Sequence, residues 1–247
     1  MPPLLKLQDI SRRFGAVVVA DGLNLDLREG EALGIIGPNG AGKSTLFSIV
    51  AGAIRSDAGR VLFAGEDITA MSPAQRCRLG IARSFQIPQP FGNMTVLENL
   101  VVGATFGAKA RRRGDRGGDI NTHCLGILDR CGLAAKANCH AGSLTLIDRK
   151  RLELARALAC HPRLLLLDEV AGGLTEPETR DLVDLIKSLR GGGLSIIWIE
   201  HVVHALIATI DRLVVLHSGG FIAQGDPQTV IKSPAVMEIY MGIPADA

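Results

Sequence analysis

The chain has 247 residues, 47% of them hydrophobic and 21% charged, which excludes a disordered chain. Twenty-seven basic against 25 acidic residues leave a net charge of +2, so no global charge steers it toward nucleic acid or anionic lipid. The mean hydropathy of +0.25 is high, yet no uninterrupted apolar run approaches the roughly 18 residues of a membrane span. The apolar excess reads instead as a buried sheet flanked by helices. Lys6 and Asp9 interrupt the apolar N-terminus, which argues against a secretory signal. The five cysteines, at 77, 124, 131, 139 and 160, are odd in number and favour reduced cytoplasmic thiols over a disulfide framework.

In chain order, Leu4–Ile10, Val17–Ala20 and Leu23–Leu27 read as a small antiparallel group, which Arg60–Ala64 joins. Ala32–Ile36 is a buried strand ending at a Gly-rich turn, and Lys43–Ala51 follows with apolar residues at helical spacing. From about Pro88 to Ala159 helix patterns dominate, with helices expected at Thr95–Val102, Ile120–Cys131 and Arg149–Ala159. Gly103–Gly118, rich in Gly and Arg, is expected to be an exposed connection. Leu164–Leu167 is a second buried strand. Thr175 to Glu178 opens the next helix as a capping box, and Gly191–Gly193 stops it. Leu194–Ile199 and Arg212–Leu216 are two further strands. Short apolar strands alternating with helices indicate an α/β core interrupted by a helical insertion.

Gly37-Pro-Asn-Gly-Ala-Gly-Lys-Ser44 fits the G-x-x-x-x-G-K-[ST] phosphate loop, and it follows a strand and opens a helix, as that motif requires. Gly37, Gly40 and Gly42 let backbone N–H groups curl around phosphate oxygens, and the helix dipole adds positive potential. Asn39 and Ala41 complete the cradle. Lys43 is placed to neutralise the β and γ oxygens, and the Ser44 hydroxyl to ligate Mg²⁺. A phosphate loop needs an acidic strand end elsewhere, and Leu164-Leu-Leu-Leu-Asp168-Glu169 supplies one. Asp168 suits Mg²⁺, and Glu169 suits polarising an attacking water. The strand at Leu194–Ile199 ends in Glu200-His201, where His201 is placed to sense or orient a γ-phosphate.

With these residues in view, the chain resembles the ATPase subunits of ABC transporters over nearly its whole length. The Walker A motif corresponds to Gly37–Thr45, and Walker B with the catalytic glutamate to Leu164–Glu169. Gln86 in Arg83-Ser-Phe-Gln resembles the family's Q-loop glutamine, a nucleotide and Mg²⁺ contact. His201 resembles the switch histidine, and Phe14 in Arg12-Arg-Phe-Gly the aromatic that stacks on adenine. The resemblance implies a P-loop NTPase (RecA-like) α/β core, residues 1–86 and 160–247, with an antiparallel β subdomain and an inserted helical subdomain, residues 87–159. Gly80–Gln86, Thr95–Asn99 and the stretches Ile222–Pro227, Pro234–Val236 and Tyr240–Gly242 are similar to ATPases of branched-chain amino-acid importers. The implied function is ATP hydrolysis driving import of branched-chain or related amino acids. The implied partners are a second ATPase chain, two membrane permease subunits and an external solute-binding protein. The implied location is the cytoplasmic face of the plasma membrane.

One motif departs from the family. The signature L-S-G-G-Q, which contacts the γ-phosphate of the ATP held by the other chain, corresponds here to Leu144-Thr-Leu-Ile-Asp148. Thr145 keeps a hydroxyl in the serine position, but both glycines are gone and Asp148 adds a negative charge. A weakened contribution in trans is expected, with a tolerated variant of unchanged backbone as the alternative. Thr175 also stands where the family usually has Asp. A nucleotide-switched subunit that relies on a partner ATPase is therefore the second functional reading, and a soluble ABC ATPase outside transport a third. Arg111–Arg113 with Arg116 lacks interleaved aromatics and reads as a solvated loop rather than a nucleic-acid surface. The pairs His123-Cys124, Cys139-His140 and Cys160-His161 lack metal-ligand spacing and read as incidental thiols and imidazoles, and Trp198 as packing.

Overall fold

The computed structural model describes residues 2–108 and 117–241. The expected basic run at Arg111–Arg113 and Arg116 lies outside the described residues, as does Gly242. The chain divides into two compact units, Met1–Pro73 with Ser195–Ala247, and Ala74–Leu194. The expected helical segment 87–159 falls within the second.

The first unit begins with β1 (Leu5–Phe14) and β2 (Val17–Leu27), followed by β3 (Ala32–Ile36), α1 (Lys43–Val50), β4 (Ala58–Phe63) and β5 (Glu66–Asp67). β2, β1, β4 and β5 form an antiparallel sheet in that order. Where the sequence reading has two short strands, β2 runs through Asp21-Gly22 as one. Bulges in its pairing with β1 absorb the irregularity between Ile10 opposite Leu23 and Arg12 opposite Ala20. The Gly22 N–H, turned away from the ladder there, donates to Ser11 Oγ at 2.9 Å.

α2 (Pro73–Leu79) and β6 (Ile81–Arg83) follow, two short elements absent from the sequence reading. The second unit continues with α3 (Val96–Phe106), α4 (Gly117–Arg130), α5 (Leu146–Ala159), β7 (Leu164–Asp168) and α6 (Glu176–Arg190). β6 pairs in parallel with β7, Arg83 lying opposite Leu166. α3, α4 and α5 pack mutually around Val96, Leu100, Leu128 and Leu152, all without solvent exposure. Thr95 caps α3 reciprocally with Glu98, and the Thr175 N–H and hydroxyl both donate to Glu178 at 2.8 and 2.7 Å, opening α6 as the sequence indicates.

The expectation that Gly103–Gly118 forms a connection fails at both ends. α3 carries on through Gly103 to Phe106, and α4 begins at Gly117. Gly103 stays helical because it is a packing site. A Cβ there would stand 2.8 Å from the Arg156 carbonyl oxygen, so its absence lets α3 lie close against α5.

The first unit is completed by β8 (Ser195–Ile199), α7 (Val203–Ile207), β9 (Arg212–His217), β10 (Gly220–Gly225), α8 (Pro227–Ile231) and α9 (Pro234–Met241). Its second sheet runs β10-β9-β3-β8, with β3 parallel to both neighbours and β10 antiparallel to β9. Every residue of β3 and β8 is buried, which accounts for their apolar sequence, broken only by Ser195 at the start of β8. Among the described residues no helix is long and apolar enough to cross a membrane.

Candidate functional site

In the first unit the loop between β3 and α1 carries the phosphate-binding motif. α1 begins at Gly42, whose φ of +103° is a backbone only glycine adopts readily. A Cβ at this position would stand 2.2 Å from the Val19 carbonyl oxygen, so the close approach requires glycine as well. No side chain caps α1 and no acidic residue lies in its first turn. Nothing acidic therefore competes at this helix end, where the dipole favours an anion. The Lys43 side chain is 5% exposed and donates to the Gly37 and Pro38 carbonyls at 2.7 and 3.0 Å. The ammonium is thus folded over the loop it serves. Asn39, Gly40 and Ser44 are exposed, Thr45 is half-buried and Ala41 is buried.

Two other expected contacts belong to this unit. Phe14, the last residue of β1, is 44% exposed, and the Arg12 guanidinium carbon lies 4.6 Å from its ring centroid. His201 follows β8 and is exposed. Its backbone N–H donates to Glu200 at 3.2 Å, and the indole N–H of Trp198 donates to the same buried carboxylate at 3.4 Å. Trp198 therefore adds a polar anchor to its packing.

The second unit carries the acidic residues. β7 is buried at all five positions and ends in Asp168, which is 5% exposed. Arg83, at the end of the neighbouring β6, forms an ion pair with Asp168, Nη2 to Oδ2 at 2.6 Å. Glu169 turns out of the strand with φ +46°, a left-handed conformation that costs a non-glycine residue about 1–3 kcal/mol. The Gln86 amide donates to the Glu169 carboxylate at 2.5 Å. Two residues of one segment, Arg83 and Gln86, thus hold two successive carboxylates. The oxygen donors expected for Mg²⁺, the Ser44 hydroxyl, the Asp168 carboxylate and the Gln86 amide oxygen, are hard ligands of the kind that ion takes. Arg83 balances the charge of Asp168 but leaves acceptor positions free on its carboxylate.

The signature-like stretch is organised differently from the phosphate loop. Thr145 caps α5, its hydroxyl donating to Asp148 Oδ2 at 2.9 Å and accepting from the Asp148 N–H at 3.4 Å. Lys136 closes an ion pair onto the same carboxylate oxygen. Burial pushes the Asp148 carboxyl up. The hydrogen bonds from Lys136 and Thr145 and the charges of Lys136 and Arg151 outweigh it, leaving the group below the usual carboxylate range. Leu146 is 46% exposed at the mouth of this helix.

Sequence reasoning quoted Arg83 only within the motif around Gln86, giving it no role, and missed Lys136. Both belong to ion pairs whose partners lie far along the chain, 85 and 12 residues away. It named Asn99 only as part of a motif. Asn99 is fully buried and clamps Phe91, accepting from its N–H at 2.9 Å and donating to its carbonyl at 3.1 Å. The His123 and His161 rings stack 3.9 Å apart, and among the described residues no group of His, Cys, Asp and Glu is arranged to hold a metal.

Comparison with known proteins bears on these features. The family model described as ABC transporter matches residues 20–172. The chain is 33% identical to the high-affinity branched-chain amino acid transport ATP-binding protein BraF of Pseudomonas aeruginosa, covering 97% of this chain and 98% of that one. It is 34% identical to LivG, the protein of the same description in Escherichia coli, with the same coverage. Among solved structures it is similar to an ATP-binding cassette of an ABC transporter in its ADP conformation. The TM-score is 0.88 at 32% identity, over 98% of this chain and 100% of that one. A nucleotide-free cassette superposes with a TM-score of 0.87, also at 32% identity and over the same shares of the two chains.

Proposed function

This chain belongs to the ABC transporter family, as one of its ATP-binding and ATP-hydrolysing subunits, and we propose that it powers the import of branched-chain or related amino acids. The observation that carries the nucleotide part is the open first turn of α1, uncapped and free of acidic side chains beside Lys43. The solute class rests on the function named for the relatives.

Each residue has a role that its chemistry supports. The phosphate loop from Gly37 to Thr45 receives the β and γ phosphates through backbone N–H groups, and Lys43 exchanges its two carbonyl acceptors for phosphate oxygens. Phe14 offers its ring to adenine. Ser44 and Asp168, with Gln86, would hold Mg²⁺, which would supply positive charge to offset that of the phosphates. Glu169 accepts a proton from the attacking water, and the Gln86 amide orients its carboxylate beforehand. His201 donates a hydrogen bond toward the γ-phosphate oxygens as charge builds on them. The partners are two permease subunits, an external solute-binding protein and a second ATPase chain, and the site of action is the cytoplasmic membrane face.

A specific observation favours a second reading for the signature. The N-terminus of α5 is capped by Thr145, which accepts from the Asp148 N–H, and carries the Asp148 carboxylate in its first turn, so this chain contributes little to a nucleotide held by a partner. In that reading the working pair is asymmetric, and the partner ATPase supplies an intact signature.

The test is co-expression with candidate permeases and solute-binding protein in liposomes. Solute-stimulated hydrolysis that accompanies uptake of branched-chain amino acids supports the proposal. ATP binding without any association with membrane subunits overturns the transport assignment.

A further inference from the structure

We propose that Arg83 is a positioning residue of the ATPase site, a built-in cation that competes with the divalent ion for Asp168 and so sets the Mg²⁺ requirement for nucleotide binding. The inference rests on the proposed role of Asp168.

Arg83 is the last residue of β6, and its backbone is fixed by the register with β7, Arg83 opposite Leu166. The following N–H, of Ser84, donates to the Leu166 carbonyl at 2.9 Å. This pairing brings a guanidinium to the end of the neighbouring strand, where Asp168 sits. The two side chains are 14% and 7% exposed, and their 2.6 Å contact is shielded from solvent. Among the described residues Arg83 is the one side chain that hydrogen-bonds the Asp168 carboxylate. It uses Oδ2. A carboxylate has about four acceptor positions, so the pair leaves capacity on Oδ1 for a metal-bound water.

The electrostatic consequence has a definite sign. Full positive charge at hydrogen-bond distance offsets the carboxylate charge that attracts a cation, and weak solvent screening preserves the effect. The ion is then held loosely at Asp168 unless the nucleotide phosphates add their own charge. Gln86, three residues on, grips Glu169, so movement of the Arg83–Gln86 segment would act on both carboxylates together.

The experiment measures binding of a non-hydrolysed ATP analogue to the full chain while Mg²⁺ is titrated, for the parent, Arg83→Gln and Arg83→Lys. Gln keeps a hydrogen-bond donor without charge, whereas Lys keeps the charge. The Mg²⁺ concentration at half-effect should fall roughly fivefold or more in Arg83→Gln and stay near the parent value in Arg83→Lys. An unchanged midpoint in Arg83→Gln reduces Arg83 to a structural role, and a raised midpoint means it orients Asp168 rather than competing for it. Either result overturns the proposal. Should Arg83→Gln not fold, the Arg83 side-chain NMR signal of the parent, assigned by its loss in Arg83→Lys, takes its place. That signal should move when Mg²⁺ is added to the analogue complex, and a signal that stays put overturns the proposal. A parent that binds no analogue, with Mg²⁺ or with EDTA, would instead defeat the ATP assignment itself.

Discussion

The Thr145 hydroxyl donates to Asp148 Oδ2 at 2.9 Å, at the N-terminus of α5. The same oxygen receives Lys136, so the carboxylate is held over the first turn of α5. By contrast α1 begins without a side-chain cap. One helix end is open to an anion and the other is closed by its own residues. Replacing Leu146, Ile147 and Asp148 by Gly, Gly and Gln in a Glu169→Gln background should therefore let Mg·ATP alone double the mass in solution. Glu169→Gln with the natural signature should stay monomeric. ATP-driven dimers of that variant would show that the closed helix end still works in trans.

Asp148 also predicts a pH dependence. Its folded pKa lies below the unfolded carboxylate value of about 3.9. The unfolded chain therefore binds the proton more tightly. The stabilisation is present above the unfolded pKa and is lost as pH falls through the folded value. Asp148→Asn should lower the melting temperature at neutral pH, with the gap to the parent narrowing as the pH drops below the ordinary carboxylate range. A gap that is constant with pH would mean that the charge of Asp148 contributes nothing.

Glu169→Gln tests the general base. The amide keeps the shape and can still meet Gln86, but it cannot take a proton. ATP binding should persist while turnover falls about 10²–10⁴-fold. Equal loss of binding and turnover would instead point to a role in holding nucleotide.

Much of this arrangement was legible in the sequence because it is local. The phosphate loop is eight consecutive residues between a strand and a helix, and Asp168-Glu169 directly follows an apolar run. The β3, β7 and β8 strands stand out because full burial makes them apolar apart from Asp168 at the end of β7 and Ser195 at the start of β8. β6 escaped notice because three residues carry no periodicity, and its strand character comes from pairing with β7. Gly103 misled for the opposite reason. Its composition reads as a loop, but close packing against α5 overrides propensity. The Arg83–Asp168 pair depends on register between strands distant in sequence, which spacing alone does not encode.

The phosphate loop makes a graded prediction about backbone strain. Gly40 and Gly42 both have positive φ, +81° and +103°, but an added Cβ meets nothing within 4 Å at Gly40 and a carbonyl oxygen at 2.2 Å at Gly42. Gly40→Ala should cost about 1 kcal/mol from strain alone. Gly42→Ala should cost more, about 2–3 kcal/mol, and abolish ATP binding because the loop must shift. Denaturant unfolding and nucleotide titration measure the two effects, and equal costs would contradict the clash argument.

Cys77 carries a chemical prediction. A hydrogen bond from Cys160 lowers its thiol pKa to about 7, against burial that raises it and with help from the charge of Arg78. The same contact, together with burial, raises Cys160. Cys124 and Cys131 are raised to about 11 and about 12 by burial. The thiolate is the reacting form, so alkylation of half-buried Cys77 should reach its half-maximal rate near pH 7 while Cys124 and Cys131 stay unmodified. Cys160→Ala removes the donor and should move the Cys77 midpoint upward, toward the ordinary thiol value of about 8.5. Peptide mapping of iodoacetamide incorporation against pH reads both midpoints. A Cys77 midpoint that is the same with and without the Cys160 thiol would show that the charge of Arg78, rather than the hydrogen bond, activates it.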